Sequence, residues 1–408
     1  MLQLIIYVCS SDMRQFRQLA SLSMLICLPI LGYSQVVLQG RVVNGQNDKP
    51  ISGASVFLNS SSIGSSANAL GEFSFPISQP GNYEVVVSSI GYEPLVFMLQ
   101  VTEEKLAPRL IKLKPAPNIL DEVVIEANPG AGWRKWGRVF EEAFIGTGRN
   151  ARSCRILNKE DIYFEYNKEQ RILRAFARKP IVVENKALGY IINYLLQDFH
   201  IDYRNKIQFY AGYPHFANIK AGKKFERRRE RSYTNSLMHF IRSLYQNNLA
   251  EQGFEMRYIA KNPNKEKIRV KGIYKKQEVH PDDSLSYYRE VLKQADTLLV
   301  LSPQLLTADS VIKVDANGNK WLSSTHDLQI VGTKIKEDPL YVSQQLKTNR
   351  GAQHPVSILH FKIGRRIVID ANGTYYDPHD LLCSAYWGWA SRVADMVPLD
   401  YKRKALED

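Results

Sequence analysis

Cysteine is scarce in this chain: four in 408 residues, with no Cys-x-x-Cys among them. That excludes a zinc knuckle and a dithiol redox motif. No long apolar run is present, which excludes a bundle of membrane helices. Gly-x-Ser-x-Gly, a Walker loop and Gly-x-Gly-x-x-Gly are all missing, so no nucleophile elbow or phosphate-cradling loop is legible. None of the eight histidines is followed at the third position by Glu, and His280 offers only Asp283. The adjacent carboxylates Glu141-Glu142 and Asp282-Asp283 do not face each other as a glycosidase pair must, roughly 5 to 10 Å apart across a sugar. No catalytic residue, metal ligand or cofactor site is assigned from the sequence.

The composition is ordinary for a globular protein, 44% hydrophobic and 23% charged. Residues 1–34 carry the grammar of an export signal. Arg14 and Arg17 form a basic stretch, Leu19 to Leu31 an apolar one, and Gly32-Tyr33-Ser34 supplies small residues before a cleavage expected at Gln35. The apolar stretch is short for a bilayer core of about 30 Å, so no span is expected after cleavage. Ile26 stands where a lipoprotein signal at Cys27 needs a small residue. Cys154 and Cys383 then remain, either as one disulfide or as two separate buried thiols. Export also decides how the net charge of +13 is read. It removes nucleic acid as the natural partner and leaves an anionic envelope polymer or an envelope protein.

From Gln35 to Ala127 short apolar strands alternate with Gly, Asn, Ser and Pro turns, the pattern of a β-sandwich. Strands are expected at Val36–Val43, Ala54–Asn59, Gly71–Pro76, Tyr83–Ser88, Leu95–Val101, Arg109–Leu113 and Glu122–Glu126. Three consecutive valines, Val85 to Val87, suggest a strand buried on both faces. Gly40-Arg-Val-Val, Lys49-Pro-Ile-Ser-Gly-Ala-Ser-Val56, Asn68-Ala-Leu-Gly-Glu-Phe73, Gly81-Asn-Tyr-Glu-Val85 and Ser89-Ile-Gly-Tyr92 follow in order. This series resembles the carboxypeptidase regulatory-like domain, a transthyretin-like sandwich. Leu120-Asp-Glu-Val-Val124 resembles the segment after this domain in TonB-dependent outer-membrane receptors. The resemblance implies a fold and an exported context, not an activity. The receptor's plug and barrel, roughly 22 strands of about 10 residues each, do not fit in the remainder.

Residues 128–132 read as a linker and 133–408 as an uncharacterised α+β domain, mostly β with a few helices. Trp133, Trp136, Phe140, Ala143 and Phe144 recur at helical spacing, for packing on the helix's own domain or for a membrane surface. Ala187–Phe199 alternates as a long strand, with helix as the alternative, and Ile207–Tyr210 is a second strand ending at Gly212-Tyr-Pro214. Thr234 or Asn235 is expected to cap a helix with the face Leu237, Phe240, Ile241, Leu244 and Tyr245, leaving His239 and Arg242 solvated. Apolar runs at Met256–Ile259, Ile268–Tyr274, Leu298–Leu301 and Val311–Val314 suggest further strands. Val314-Asp-Ala-Asn-Gly318 and Ile369-Asp-Ala-Asn-Gly373 suggest two hairpins.

Two constellations stand out. His354, His360, Asp370, Asp377, His379 and Asp380 crowd the C-terminal part without the spacing of a metal site. Lys223, Lys224, Arg227, Arg228, Arg229 and Arg231, preceded by Lys220, form the densest cationic run. They read as a clamp for phosphate or carboxylate, or as a solvated loop offset by Glu226 and Glu230. The expected role is binding or scaffolding at the periplasmic or outer-membrane surface. The alternative is an envelope hydrolase whose site is not visible as a motif.

Overall fold

A computed structural model describes residues 36–102, 104–116, 129–218, 220–275, 283–316, 318–362, 364, 366–376 and 378–403. The signal, the strand expected at Glu122–Glu126 and Asp377 lie outside them. The fold is α+β.

The N-terminal module contains β1 (Val36–Asn44), β2 (Ser55–Leu58), β3 (Gly64–Ser66), β4 (Glu72–Ile77), β5 (Gly81–Ser88), β6 (Leu95–Val101) and β7 (Arg109–Leu113). Sheets β4-β1-β7 and β3-β2-β5-β6 enclose a core that includes Leu38, Val56, Leu58, Phe75, Val85 and Val87. Strand β4 shows why: its exposed and buried residues alternate strictly, as a pleat with one dry face requires. Val86 points away from that core and is equally buried. Its cross-strand partner Phe57 shares that face and lies against the imidazole of His215, ring centroids 4.9 Å apart. The three valines are thus buried on both faces, the second covered by the rest of the chain. Among the described strands of this module only β3 has no counterpart in the expectation, a polar Gly-Ser-Ser strand with no apolar signal.

Helix α1 (Pro129–Phe144) begins within the segment expected as a linker, with proline in the first turn, where its missing N–H costs nothing. Phe140 and Phe144 are fully buried, and Phe140 meets Phe199 at 4.7 Å and Phe164 at 5.7 Å. The aromatic face therefore packs on its own domain. Beneath it lies a sheet of β8 (Cys154–Ile156), β9 (Ile162–Asn167), β10 (Ile172–Ala177), β11 (Ile181–Asn185), β12 (Tyr190–Asp202) and β13 (Ile207–Asn218). In β12 the buried set changes from Tyr190, Ile192 and Tyr194 to Phe199 and Ile201, from even to odd positions. A bulge against β13 between Leu196 and Asp198 inserts the extra residue that flips the phase. Strand β13 runs on through Gly212 and Pro214 instead of ending there, because it is an edge and Pro214 needs no outward donor.

Helices α2 (Lys223–Tyr233), α3 (Leu237–Tyr245) and α4 (Leu249–Gln252) lead to a second sheet, β15-β14-β18-β19-β21. Its strands are β14 (Phe254–Pro263), β15 (Thr297–Leu301), β18 (Asp327–Gly332), β19 (Val356–Phe361) and β21 (Leu381–Ala385). Between β14 and β15 stand α5 (Lys265–Lys275) and α6 (Asp283–Lys293). The run Ile268–Tyr274 is thus helical, not a strand. Asn264 decides it: its side chain accepts from Lys267 N at 3.0 Å, an N-terminal cap. The two Asp-Ala-Asn-Gly echoes meet in one small sheet of β16 (Ile312–Val314), β17 (Lys320–Leu322) and β20 (Ile367–Ile369). Helix α7 (Tyr386–Ala390) follows β21, and the chain then returns to the first sheet, where Val393, Ala394 and Val397 are buried beside Phe144 and Tyr194.

The cap of α3 is Ser236, whose hydroxyl accepts from His239 N, one residue beyond the expected pair. His239 and Arg242 are not solvated. His239 lies between the rings of Tyr233 and Phe254, with Nδ1 taking the Asn235 N–H. Arg242 donates to the carbonyls of Asn372, Leu399 and Tyr401. A one-stripe pattern assumes a helix packed on one side; α3 is covered on two.

Candidate functional site

The cationic run forms α2 itself rather than a loop before a helix, and its period sorts the charges. Phe225, Arg229 and Tyr233 turn inward, and Lys223, Lys224, Arg227 and Arg231 turn to solvent. Arg229 is 7% exposed, donates from Nε to Leu188 O at 2.8 Å and from Nη2 to Lys220 O at 2.9 Å, and sits 4.2 Å over the Tyr190 ring. Arg228 is half-buried and reaches Ala187 O at 3.2 Å. Gly189 makes this seat: it holds φ +74°, and a Cβ there would stand 3.0 Å from Phe225.

Two of the outward four oppose the helix dipole, while Arg231 sits in the last turn, where a cation is favourable. Lys223 and Lys224 occupy the first turn, where the helix dipole favours anions, and no side chain caps the end at Gly222. Lys223, Arg227 and Arg231 follow at four-residue steps, each a like-charge pair costing about 0.2–0.5 kcal/mol. None of the four forms an ion pair with another described residue. Of the carboxylates that were to offset the run, Glu226 shares the first turn with the two lysines, and Glu230 is engaged elsewhere. Glu230 accepts from Tyr401 Oη at 2.9 Å and pairs with Arg403 Nε at 2.6 Å.

Beside that inner edge the module docks. Ser60 N donates to Pro214 O at 2.8 Å, Phe216 N to Ser61 O at 2.9 Å, and Leu399 N to Ser60 O at 2.7 Å. The Ser62 amide and hydroxyl both donate to the Asp400 carboxylate, at 2.8 and 2.5 Å. Tyr376 Oη donates to Asn82 O at 3.1 Å. The loop after β2 thus extends the free edge of β13 and is clamped by the tail. Burial pushes the His215 imidazole below its usual pKa, so it packs there as a neutral ring. A cleft of about 350 Å³, lined by Ser62, Tyr190, Glu226, Arg229 and Asp400, marks the seam.

Behind α2, Asp395 accepts from Asn150 Nδ2 at 2.7 Å. Burial raises its carboxyl from 3.8 to about 6; the Asn150 bond opposes the shift and Asp338 adds to it. A raised carboxyl pKa favours the folded state below about pH 4; that contribution falls as pH climbs to about 6 and is gone above it. At pH 7.5 Asp395→Asn is expected to be more stable than wild type by up to about 3 kcal/mol, and at pH 4 equal to it. Thermal melts at the two pH values check this.

The C-terminal histidines and acids do not converge. His354 Nδ1 contacts Ile335 O at 2.9 Å, His379 lies 3.8 Å from Asp198, Asp370 accepts from Tyr376 Oη at 3.1 Å, and Asp380 pairs with Lys362 at 3.4 Å. His360 instead joins Asp327 at 3.0 Å and Ser384 at 2.8 Å, two residues that no sequence motif marks. Among the described residues no three His, Cys, Asp or Glu side chains gather in a metal-binding cluster. Cys154 and Cys383 are free thiols beside different cores, both pushed up to about 12 chiefly by burial.

Residues 38–125 match the family model described as CarboxypepD_reg-like domain. The N-terminal sandwich is a carboxypeptidase regulatory-like domain. It is this regulatory-like domain that docks through Ser60–Ser62. The chain is also similar to a solved Bacteroides fragilis protein of unknown function whose description proposes membrane association. That likeness covers 86% of this chain and 93% of the other at 8% identity and a TM-score of 0.17, too low to carry an argument. No curated protein matches the chain. Among the described residues no helix is long and apolar enough to cross a membrane.

Proposed function

We propose that this is an exported cell-envelope protein that binds an anionic envelope polymer on the outer face of α2, with the regulatory-like domain as a docked scaffold. The observation that carries this reading is the arrangement of Lys223, Lys224, Arg227 and Arg231: exposed, on one face, with no ion-pair partner among the described residues, and with Lys223 and Lys224 in the turn where the helix dipole disfavours cations. A local rule broken without a compensating contact points to a role outside the fold. Guanidinium and ammonium groups in one row suit phosphate or carboxylate along a chain, as in lipopolysaccharide or peptidoglycan. The export grammar of residues 1–34 and the domain type support the compartment.

Replacing the four by Ala is expected to weaken binding by about thirtyfold, taking roughly 0.5 kcal/mol for each exposed pair. Stability should stay within about 0.5 kcal/mol or rise, since repulsion is relieved. Co-sedimentation of the full chain with lipopolysaccharide vesicles and with peptidoglycan, across a salt series, reads both the affinity and its screening. Equal binding by the two proteins would return the row to a merely solvated face.

A further inference from the structure

The five-stranded sheet turns Leu328, Ile330 and Leu359 into a core and leaves the intervening residues on its outer face. Strand register assembles three of these outer residues. Leu328 pairs with Leu359, so Asp327 stands opposite His360; Ser384 pairs with Ile358, one diagonal step from His360. His360 Nδ1 lies 3.0 Å from Asp327 Oδ2 and Nε2 lies 2.8 Å from Ser384 Oγ. We propose that Ser384, His360 and Asp327 form a nucleophilic acyl-transfer site that hydrolyses carboxylic esters.

The chemistry of the contacts assigns the roles. A carboxylate only accepts, so Nδ1 carries the proton toward Asp327; Nε2 is then the acceptor for the Ser384 hydroxyl. That is the tautomer a general base needs. Burial alone would raise the Asp327 carboxyl, but the hydrogen bonds and charges of Lys261 and His360 outweigh it and hold it below the usual range, ionised. The Asp327 side chain is 10% exposed and that of His360 39%, so the orienting group is covered and the base is open. A second, independent feature follows the serine directly. Ala385, at φ 58° and ψ −130°, is a non-glycine residue held at positive φ, and it turns β21 abruptly into α7. Strain of this kind persists where the surroundings over-determine it and clusters at functional sites. Access through the half-exposed His360 suits a protruding ester, such as an acyl group on a sugar hydroxyl.

In the reaction Ser384 Oγ adds to the ester carbonyl carbon while its proton passes to His360 Nε2, and the imidazolium is held by Asp327. The tetrahedral adduct expels the alcohol, whose oxygen takes that proton, leaving an acyl-serine. Water, giving a proton to His360, adds to the acyl carbon, and Ser384 leaves with the proton. The sum is ester plus water to acid plus alcohol. Lys261 pairs with the same Asp327 oxygen at 2.8 Å and competes with His360 for it. Asp327 is accordingly a positioning residue.

The test is labelling of the full chain by a fluorophosphonate, with the adduct located by peptide mass spectrometry and the fold of each variant followed by thermal melting. One adduct is expected, on Ser384. Its rate should fall at least about a hundredfold in Ser384→Ala and in His360→Gln. Asp327→Asn should lose part of it and Asp327→Glu regain some, which a purely structural role does not predict. In Ser384→Cys, which keeps a nucleophile at the site, iodoacetamide should alkylate residue 384 faster with His360 present than with His360→Gln. No adduct on the folded wild type, an adduct that survives Ser384→Ala, or equal alkylation rates would each overturn the assignment.

Discussion

Arg229→Ala is expected to destabilise the protein by about 3–5 kcal/mol, the sharpest contrast with its neighbours on the same helix. The guanidinium is buried, bonded to two carbonyls and stacked on Tyr190. Truncation leaves the Leu188 and Lys220 carbonyls without that donor at about 1–3 kcal/mol each, and removes a cation–π contact worth roughly 1–2 kcal/mol. Arg229→Lys keeps the charge but not the fork, and is expected to recover less than half. Arg227→Ala, two residues away on the exposed side, should change stability by within about 0.5 kcal/mol. Denaturant unfolding of the three variants decides the matter. A loss below about 1 kcal/mol for Arg229→Ala would return this arginine to the binding face.

The second large effect is expected at Trp387. The indole is 1% exposed, donates from Nε1 to Asn235 O at 2.7 Å, and packs against Phe240 with ring centroids 5.4 Å apart. Trp387→Ala removes the largest fully buried side chain of the described residues and should cost about 3–5 kcal/mol. Trp387→Phe keeps most of the volume but strands the Asn235 carbonyl, and should cost about 1–3 kcal/mol. If Phe proves as costly as Ala, volume is not what the site requires, and the bond to the α2–α3 corner carries the effect.

How much of this was legible depended on whether the signal was local. In the regulatory-like domain six strands are recovered within a few residues of expectation, because alternation and turn residues act over short range. Val85–Val87 announced two-sided burial, but not that the second cover comes from His215, far along the chain. The docking loop Ser60–Ser62 was invisible because its bonds run largely from backbone to backbone, and any polar turn has the same composition. The cationic run was found as a run; which arginine turns inward follows from where α2 starts, and a Gly222 start without a side-chain cap gives no such mark. His360 was singled out for the wrong company. Its partners Asp327 and Ser384 arrive by register from β18 and β21, and pairings between distant strands are not written in residue spacing.

The outer face of α2 can be tested where the protein works. A photo-crosslinking amino acid placed at Lys224 in the full-length chain, in intact cells, touches whatever covers that face. Irradiation is expected to yield adducts carrying lipopolysaccharide or peptidoglycan fragments, lost when Lys223, Arg227 and Arg231 are also replaced by Ala. Recovery of the protein from the envelope without any polymer adduct at position 224, or adducts that persist unchanged after the three replacements, would contradict binding through this face.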